Sequence, residues 1–362
     1  MTSELRRIKE LDYLKGVLIL LVISFHLVYF EQLHPFAKQV VYTFHMPGFL
    51  LISGYLMNVS KPPKDFLRTL LWLAIPYIIM ESGYIVMASL LPINEHIDHL
   101  TPAVFLDRLL LHPLGPYWYL HTLIICGAIY KTLSNSPLKG EKQSLPNVNP
   151  SPLRGGWVGS VFIIGLAYFA VFYVLNTLLP LKGVGGSFSF SSALYFLAGA
   201  AIRQSGTEFL TFFRPTWVAV VAFALLVFFS VNPNQASIYG ALIAYTAISS
   251  LLWLYKAPSP LPLWGSASEE GTAALKHSPK GGAGRGLLCF LGRNSLVLYI
   301  FSPIFTILCK RFVPYLQFDP TGLIFLMVSL VCCAGGSLLI AWLMDKTGTS
   351  KYFFGRKAIY SP

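Results

Sequence analysis

Residues 1–30 run MTSELRRIKELDYLKGVLILLVISFHLVYF: a basic head, Asp12 and Lys15 three residues apart, then an apolar run that closes on His26. The run is about as long as a bilayer core demands, which is about 20 predominantly apolar residues per helix. Its basic head is that of a signal peptide, but no small-residue cleavage site follows, so it reads as a retained first helix.

Working outward, the same kind of run recurs along the chain. Of 362 residues, 55% are apolar, 15% aromatic and only 12% charged, against roughly a quarter charged in soluble domains. Such a chain cannot cover its own surface with polar groups, and lipid is the expected solvent. The expected spans are 14–31, 38–58, 68–91, 117–133, 157–179, 188–204, 214–231, 236–255, 288–309 and 321–344. That is an all-α, polytopic membrane bundle of about ten helices. The net charge of +12 follows the positive-inside rule and not nucleic-acid binding. With the amino terminus inside, the inner connections hold twenty Lys and Arg, and the outer ones hold only Lys38, Arg108, Lys182, Lys310 and Arg311. Both termini are therefore expected in the cytoplasm. Residues 1–344 form one domain in this reading, and 345–362 a short basic tail.

Residues 134–156 and 256–287, rich in Gly, Pro, Ser and Lys, read as cytoplasmic loops. The outer connection 92–116 carries Asp107 and Arg108 among leucines, the pattern of an amphipathic interfacial helix. No internal repeat of the duplicated-transporter kind is visible. Five cysteines lie in apolar segments without ligand spacing and read as small hydrophobes.

Titratable groups inside spans cost about 2.5–3.5 kcal/mol each on insertion scales, so each needs a reason. On one unbroken helix, Lys15 and His26 share a face about 16 Å apart along the axis. Either Lys15 snorkels and His26 bonds a neighbouring helix, or the two serve a function. The second span reads FHMPGFLLISGY, where Gly48, Ser53 and Gly54 allow close helix approach and His45 sits near the level of His26. Glu81, well inside the third span, must be neutral or partnered; beside His26 it would fix the imidazole tautomer. Seven of the eight histidines map to the outer half, and His277 alone to the inside. The run NEHIDH (94–99) has ligand-like spacing but reads as a solvated acidic loop, and no metal site is assigned. In GPYWYL, Tyr117, Trp118 and Tyr119 suit an interfacial belt and equally a face for stacking on sugar rings.

Together these segments resemble the membrane acyltransferase-3 family, which includes bacterial O-acetylases of polysaccharides and lipid-linked sugars. The resemblance covers nearly the whole chain. It rests on Arg7, Leu11, Asp12, Lys15, Gly16 and His26, with ten residues between Lys15 and His26. The segments FHMPGFLLISGYL, GPYWYL and Leu291-Gly292-Arg293-Asn294-Ser295 to Tyr299 follow in the family's order. Two departures stand out. Arg68 lacks the second Arg that members often carry three residues on, and Ser302-Pro303 occupy the place where many have a His.

The resemblance implies transfer of an acyl group, acetyl being the expected one, from cytoplasmic acyl-CoA to a hydroxyl of an extracytoplasmic or lipid-linked sugar. Such a reaction needs a base and an oxyanion stabiliser. His26 is the expected base, with Glu81 and Asp12 in support. Lys15, Arg68, Lys64 and Arg293 are expected to hold the donor's phosphates. His45, Tyr117, Trp118 and Ser53 are expected to face the acceptor. No permanently bound cofactor is expected, and acetyl-CoA enters as a substrate. The rival readings are a transporter or flippase that uses the same groups as a relay, and a membrane scaffold.

Overall fold

The computed structural model describes residues 8–59, 61–91, 95–135, scattered positions within 163–174, and residues 190–230, 237–257 and 283–361. The span expected at 157–179 and the two long loops, with His277, lie largely outside these residues.

Among the described residues every regular element is a helix. The longer and site-forming ones are, in chain order, α1 (Lys9–Ser24), α2 (Val28–Leu33), α3 (Pro35–Leu56), α4 (Pro63–Leu90), α5 (Pro102–Leu110), α6 (Trp118–Asn135) and α7 (Phe190–Gln204). Then come α8 (Trp217–Phe228), α9 (Ile238–Lys256), α10 (Ala283–Arg293), α11 (Ser295–Cys309), α12 (Leu323–Thr347) and α13 (Ser350–Phe354). Among the described residues, four stretches are long and apolar enough to cross a bilayer by length and composition alone: Pro63–Leu90, Ile238–Lys256, Ser295–Leu316 and Leu323–Thr347. The first expected span is divided, because α1 stops at Ser24 and the chain turns before α2. The ninth is divided at Asn294, between α10 and α11. The amphipathic segment forms α5, whose Thr101 cap accepts a bond from the Val104 amide at 3.2 Å.

The polarity pattern of α12 is inverted relative to a soluble helix. Phe325, Ser329, Cys333, Ser337 and Ala341, spaced four apart and mostly small, are its buried stripe, while Met327, Val331, Leu339 and Trp342 face outward. Outward apolar side chains gain nothing in water, but in lipid they need no cover.

Helix contacts depend on glycine. A Cβ on Gly16 would lie 1.9 Å from the Leu288 carbonyl oxygen, and one on Gly292 would lie 1.6 Å from that of Asp12. The two glycines thus set α1 against α10, backbone to backbone. Gly54 and Gly199 do the same for α3 and α7, where the added Cβ atoms would meet Phe196 and Leu51 carbonyl oxygens at 2.1 and 2.0 Å. The close approach read from Gly54 in the sequence is thereby accounted for.

Candidate functional site

His26 follows the last turn of α1. Ser24 Oγ donates to the Leu20 carbonyl at 2.8 Å, and His26 Nδ1 lies 2.7 Å from the Val22 carbonyl oxygen. Side chains that take up helix carbonyls in this way compete with the ladder and favour a helix end. A carbonyl oxygen only accepts, so Nδ1 carries the proton and Nε2 keeps its lone pair. The exposed part of the ring opens into a cavity of about 350 Å³. Glu31, Tyr84, Glu95, Tyr299, Ser302 and Lys310 supply its polar wall, with Gly115 and Pro116 at one side.

The shared helical face drawn through Lys15 and His26 does not survive this turn, since His26 lies two residues beyond the helix. Lys15 pairs instead with Asp12 at 2.8 Å, and the Asp12 side chain is 8% exposed.

Glu81 is fully buried, and its Oε1 accepts from the Leu114 amide at 2.6 Å. Glu95 Oε2 accepts from the next amide, that of Gly115, at 2.7 Å. Two carboxylates therefore fasten two consecutive backbone N–H groups of the loop that walls the cavity. Gly115 has φ +58°, and a Cβ there would stand 2.5 Å from the Tyr84 ring, so only glycine suits the position. The sequence offered Glu81, if beside His26, as the setter of its tautomer; the Val22 carbonyl makes that contact, and Glu81 holds the loop. Glu81 Oε2 is buried without a hydrogen-bond partner.

His45 is buried in α3, its Nδ1 2.7 Å from the Val41 carbonyl oxygen. Tyr42 connects the two imidazoles, its ring 6.4 Å from that of His26 and 4.9 Å from that of His45. Ser53 Oγ and Tyr119 Oη are 2.6 Å apart, and the Tyr117 hydroxyl donates to the Ile300 carbonyl at 3.0 Å. None of His45, Ser53, Tyr117 and Trp118 lines the His26 cavity. Sequence reasoning passed over Glu31, Tyr84 and Lys310 in this wall, and read Glu95 only as part of an acidic loop. In that loop His96 lies 3.7 Å from Asp98, and no three potential ligands cluster as a metal site among the described residues.

A second cavity, of about 390 Å³, is lined by Lys61, Asp65, Arg68, Trp72, Arg293, Asn294, Val297 and Arg356, among others. Four cations face one carboxylate there. Arg293 Nε is buried without a hydrogen-bond partner among the described residues, and its guanidinium lies 5.8 Å from the Phe290 ring centroid. Arg68 and Arg293, both expected to hold phosphate, come together here; Lys15 and Lys64 do not line it.

The two cavities share helices. Lys61 to Leu73 of the early α4 region line the basic cavity, and Tyr84 and Met87 of late α4 line the His26 cavity. From Arg68 to Tyr84 the rise is about 24 Å. One end of the bundle thus offers an imidazole with a free nitrogen, and the other a concentration of positive charge.

A family model described as an acyltransferase domain matches residues 8–345 of the chain. No curated protein and no solved structure matches it.

Proposed function

The chain belongs to the acyltransferase-3 family, and on that premise we propose that it is a membrane O-acyltransferase that carries an acyl group from acyl-CoA to a sugar hydroxyl. Acetyl is the group we assign, and an extracytoplasmic or lipid-linked sugar or polysaccharide of a bacterial envelope is the acceptor. The observation that carries the reading is the pairing of the two cavities on α4 and α11. In this topology about ten spans cross the inner membrane, both termini are cytoplasmic, and the basic cavity faces the compartment that supplies acyl-CoA.

Each cavity has a role in this scheme. Arg68 and Arg293 hold the donor's phosphates, with Lys61 beside them, and the thioester-bearing arm runs between the helices toward His26. His26 Nε2 takes the proton of the acceptor hydroxyl as its oxygen attacks the thioester carbonyl. The tetrahedral oxyanion is met by hydroxyl or ammonium donors of the wall, for which Ser302, Tyr84 and Lys310 are available. When the C–S bond breaks, the imidazolium returns its proton to the leaving thiolate. Glu81 and Glu95 position the Gly115 loop, and Asp12 holds Lys15, so their influence is indirect.

Membranes containing the protein, supplied with acetyl-CoA labelled in the acetyl group, should transfer label to envelope glycan or lipid-linked sugar. Transport of a lipid-linked sugar without any transferred label would replace this reading with the flippase.

A further inference from the structure

The segment that follows α12 is packed against the bundle. α12 ends at Gly348 with φ +73°, and α13 ends at Gly355 with φ +67°, both in the left-handed conformation that closes helices. A Cβ on Gly355 would lie 2.0 Å from the Trp72 ring, so the backbone here is pressed against α4. Beyond it the chain is fastened twice. The Asp345 carboxylate accepts from the Ile359 amide at 3.0 Å and the Tyr360 amide at 2.9 Å. The Asn294 side chain accepts from the Ser361 amide and donates to the Ser361 carbonyl, each at 2.9 Å. Arg356 lies between the Gly355 contact and these two fastenings, lines the basic cavity, is exposed, and makes no salt bridge among the described residues.

From this we infer that Gly355, Arg356 and Ile359 form a built wall of the basic cavity and that Arg356 is a further phosphate-binding residue of the donor site. The inference rests on the donor reading above and deepens it. Lys61, Arg68, Arg293 and Arg356 surround a space of about 390 Å³ against the one carboxylate of Asp65. A net charge of that size suits a ligand with several phosphate groups, and CoA carries a diphosphate and a 3′-phosphate. Asn294 and Asp345 are positioning residues in this scheme, since they set the register of the segment that presents Arg356.

The test is titration calorimetry on the purified full-length protein, with CoA and with inorganic pyrophosphate as separate probes. Arg356→Ala should weaken both by about tenfold or more, the loss of one charge-assisted contact. Arg356→Lys should recover part of the loss. Lys357→Ala removes the same charge from an exposed neighbour that does not line the cavity and should change binding less than twofold. Equal behaviour of Arg356→Ala and Lys357→Ala would overturn the inference, as would a wild type that binds neither probe. Weakening of CoA by Arg68→Ala but not by Arg356→Ala would remove this inference and leave the donor reading. Pyrophosphate binding that depends on Arg356, without CoA binding, would leave the site and remove the donor reading.

Discussion

Val297 lines the basic cavity, and Tyr299, two residues on along α11, lines the His26 cavity. Two residues of helix rise about 3 Å and turn about 200°, so the two side chains leave α11 on nearly opposite faces and the helix itself stands between them. The partition is aromatic: the Tyr299 ring lies 5.3 Å from that of Tyr119 and 6.4 Å from that of Tyr117. Along α4 the cavities stand farther apart, from Leu73 to Tyr84, about 17 Å of rise. In the proposed scheme the donor's arm must cover this distance between the helices, while its phosphates remain far from the imidazole.

Arm length is therefore expected to matter for transfer more than for binding. An acetyl thioester of a CoA analogue with a shortened arm should bind within about threefold of acetyl-CoA, because its phosphates still meet the basic residues. Its kcat should fall by about a hundredfold or more, because a misplaced reacting group forfeits the proximity advantage. Equal kcat for the two donors would mean that the thioester does not travel between the cavities.

His26→Gln should lower kcat by about 10²–10⁴, the usual contribution of a positioned base. The exposed ring opens into a cavity, so its replacement should change stability by only about 1 kcal/mol or less. Activity and thermal unfolding measured on the same preparation separate the two effects. Near-normal kcat would transfer the base assignment to another group.

The helical class of the fold was legible because apolar runs dominate the composition. The resemblance was legible because its motifs are local, and Lys15 and His26 sit within one short segment. What escaped was made by contacts at long sequence separation. Glu81 reaches the Leu114 amide across 33 positions, and Asn294 reaches Ser361 across 67. Periodicity carries no trace of such pairings, so Glu81 was read by its depth and the tail by its charge. The end of α1 had a local signal: Ser24 and His26 stand where side chains can take up helix carbonyls, and the apolar run around them hid it.

Gly115→Ala should impair the acceptor side selectively. A left-handed φ costs an ordinary residue about 1–2 kcal/mol, and the new methyl must displace Tyr84 from the cavity wall. The acceptor KM should rise while CoA affinity stays within about twofold in calorimetry, since Gly115 does not line the basic cavity. A selective loss of CoA affinity would contradict the division of labour between the cavities.

Arg68 and Lys15, alike in charge and expected role, should separate by experiment. Arg68 is exposed and lines the basic cavity, so Arg68→Ala should raise the dissociation constant for CoA about tenfold and leave stability nearly unchanged. Lys15 pairs with Asp12 outside that cavity, so Lys15→Ala should act on the fold, at about 1–3 kcal/mol, with little change in CoA affinity. A double-mutant cycle on Asp12 and Lys15 tests the pair directly. A large effect of Lys15→Ala on CoA binding with unchanged stability would return Lys15 to the donor site.

Gly292→Ala should destabilise the protein through the seam between α1 and α10. The added methyl would lie 1.6 Å from the Asp12 carbonyl oxygen and 2.8 Å from the Gly16 amide nitrogen, both backbone atoms that no rotamer change can move. Relief requires the two helices to part, and overpacking of this kind typically costs about 1–3 kcal/mol. Parting them would also shift Arg293 and Asn294, which follow directly and line the basic cavity. Loss of stability and loss of CoA affinity should therefore appear together. Gly335→Ala is the control, since a Cβ there meets nothing within 4 Å and alanine favours the helix by about 0.8–1 kcal/mol. Thermal unfolding in detergent should show Gly292→Ala below the wild type and Gly335→Ala at or above it. Equal midpoints for the two variants would show that α1 and α10 do not meet at these glycines.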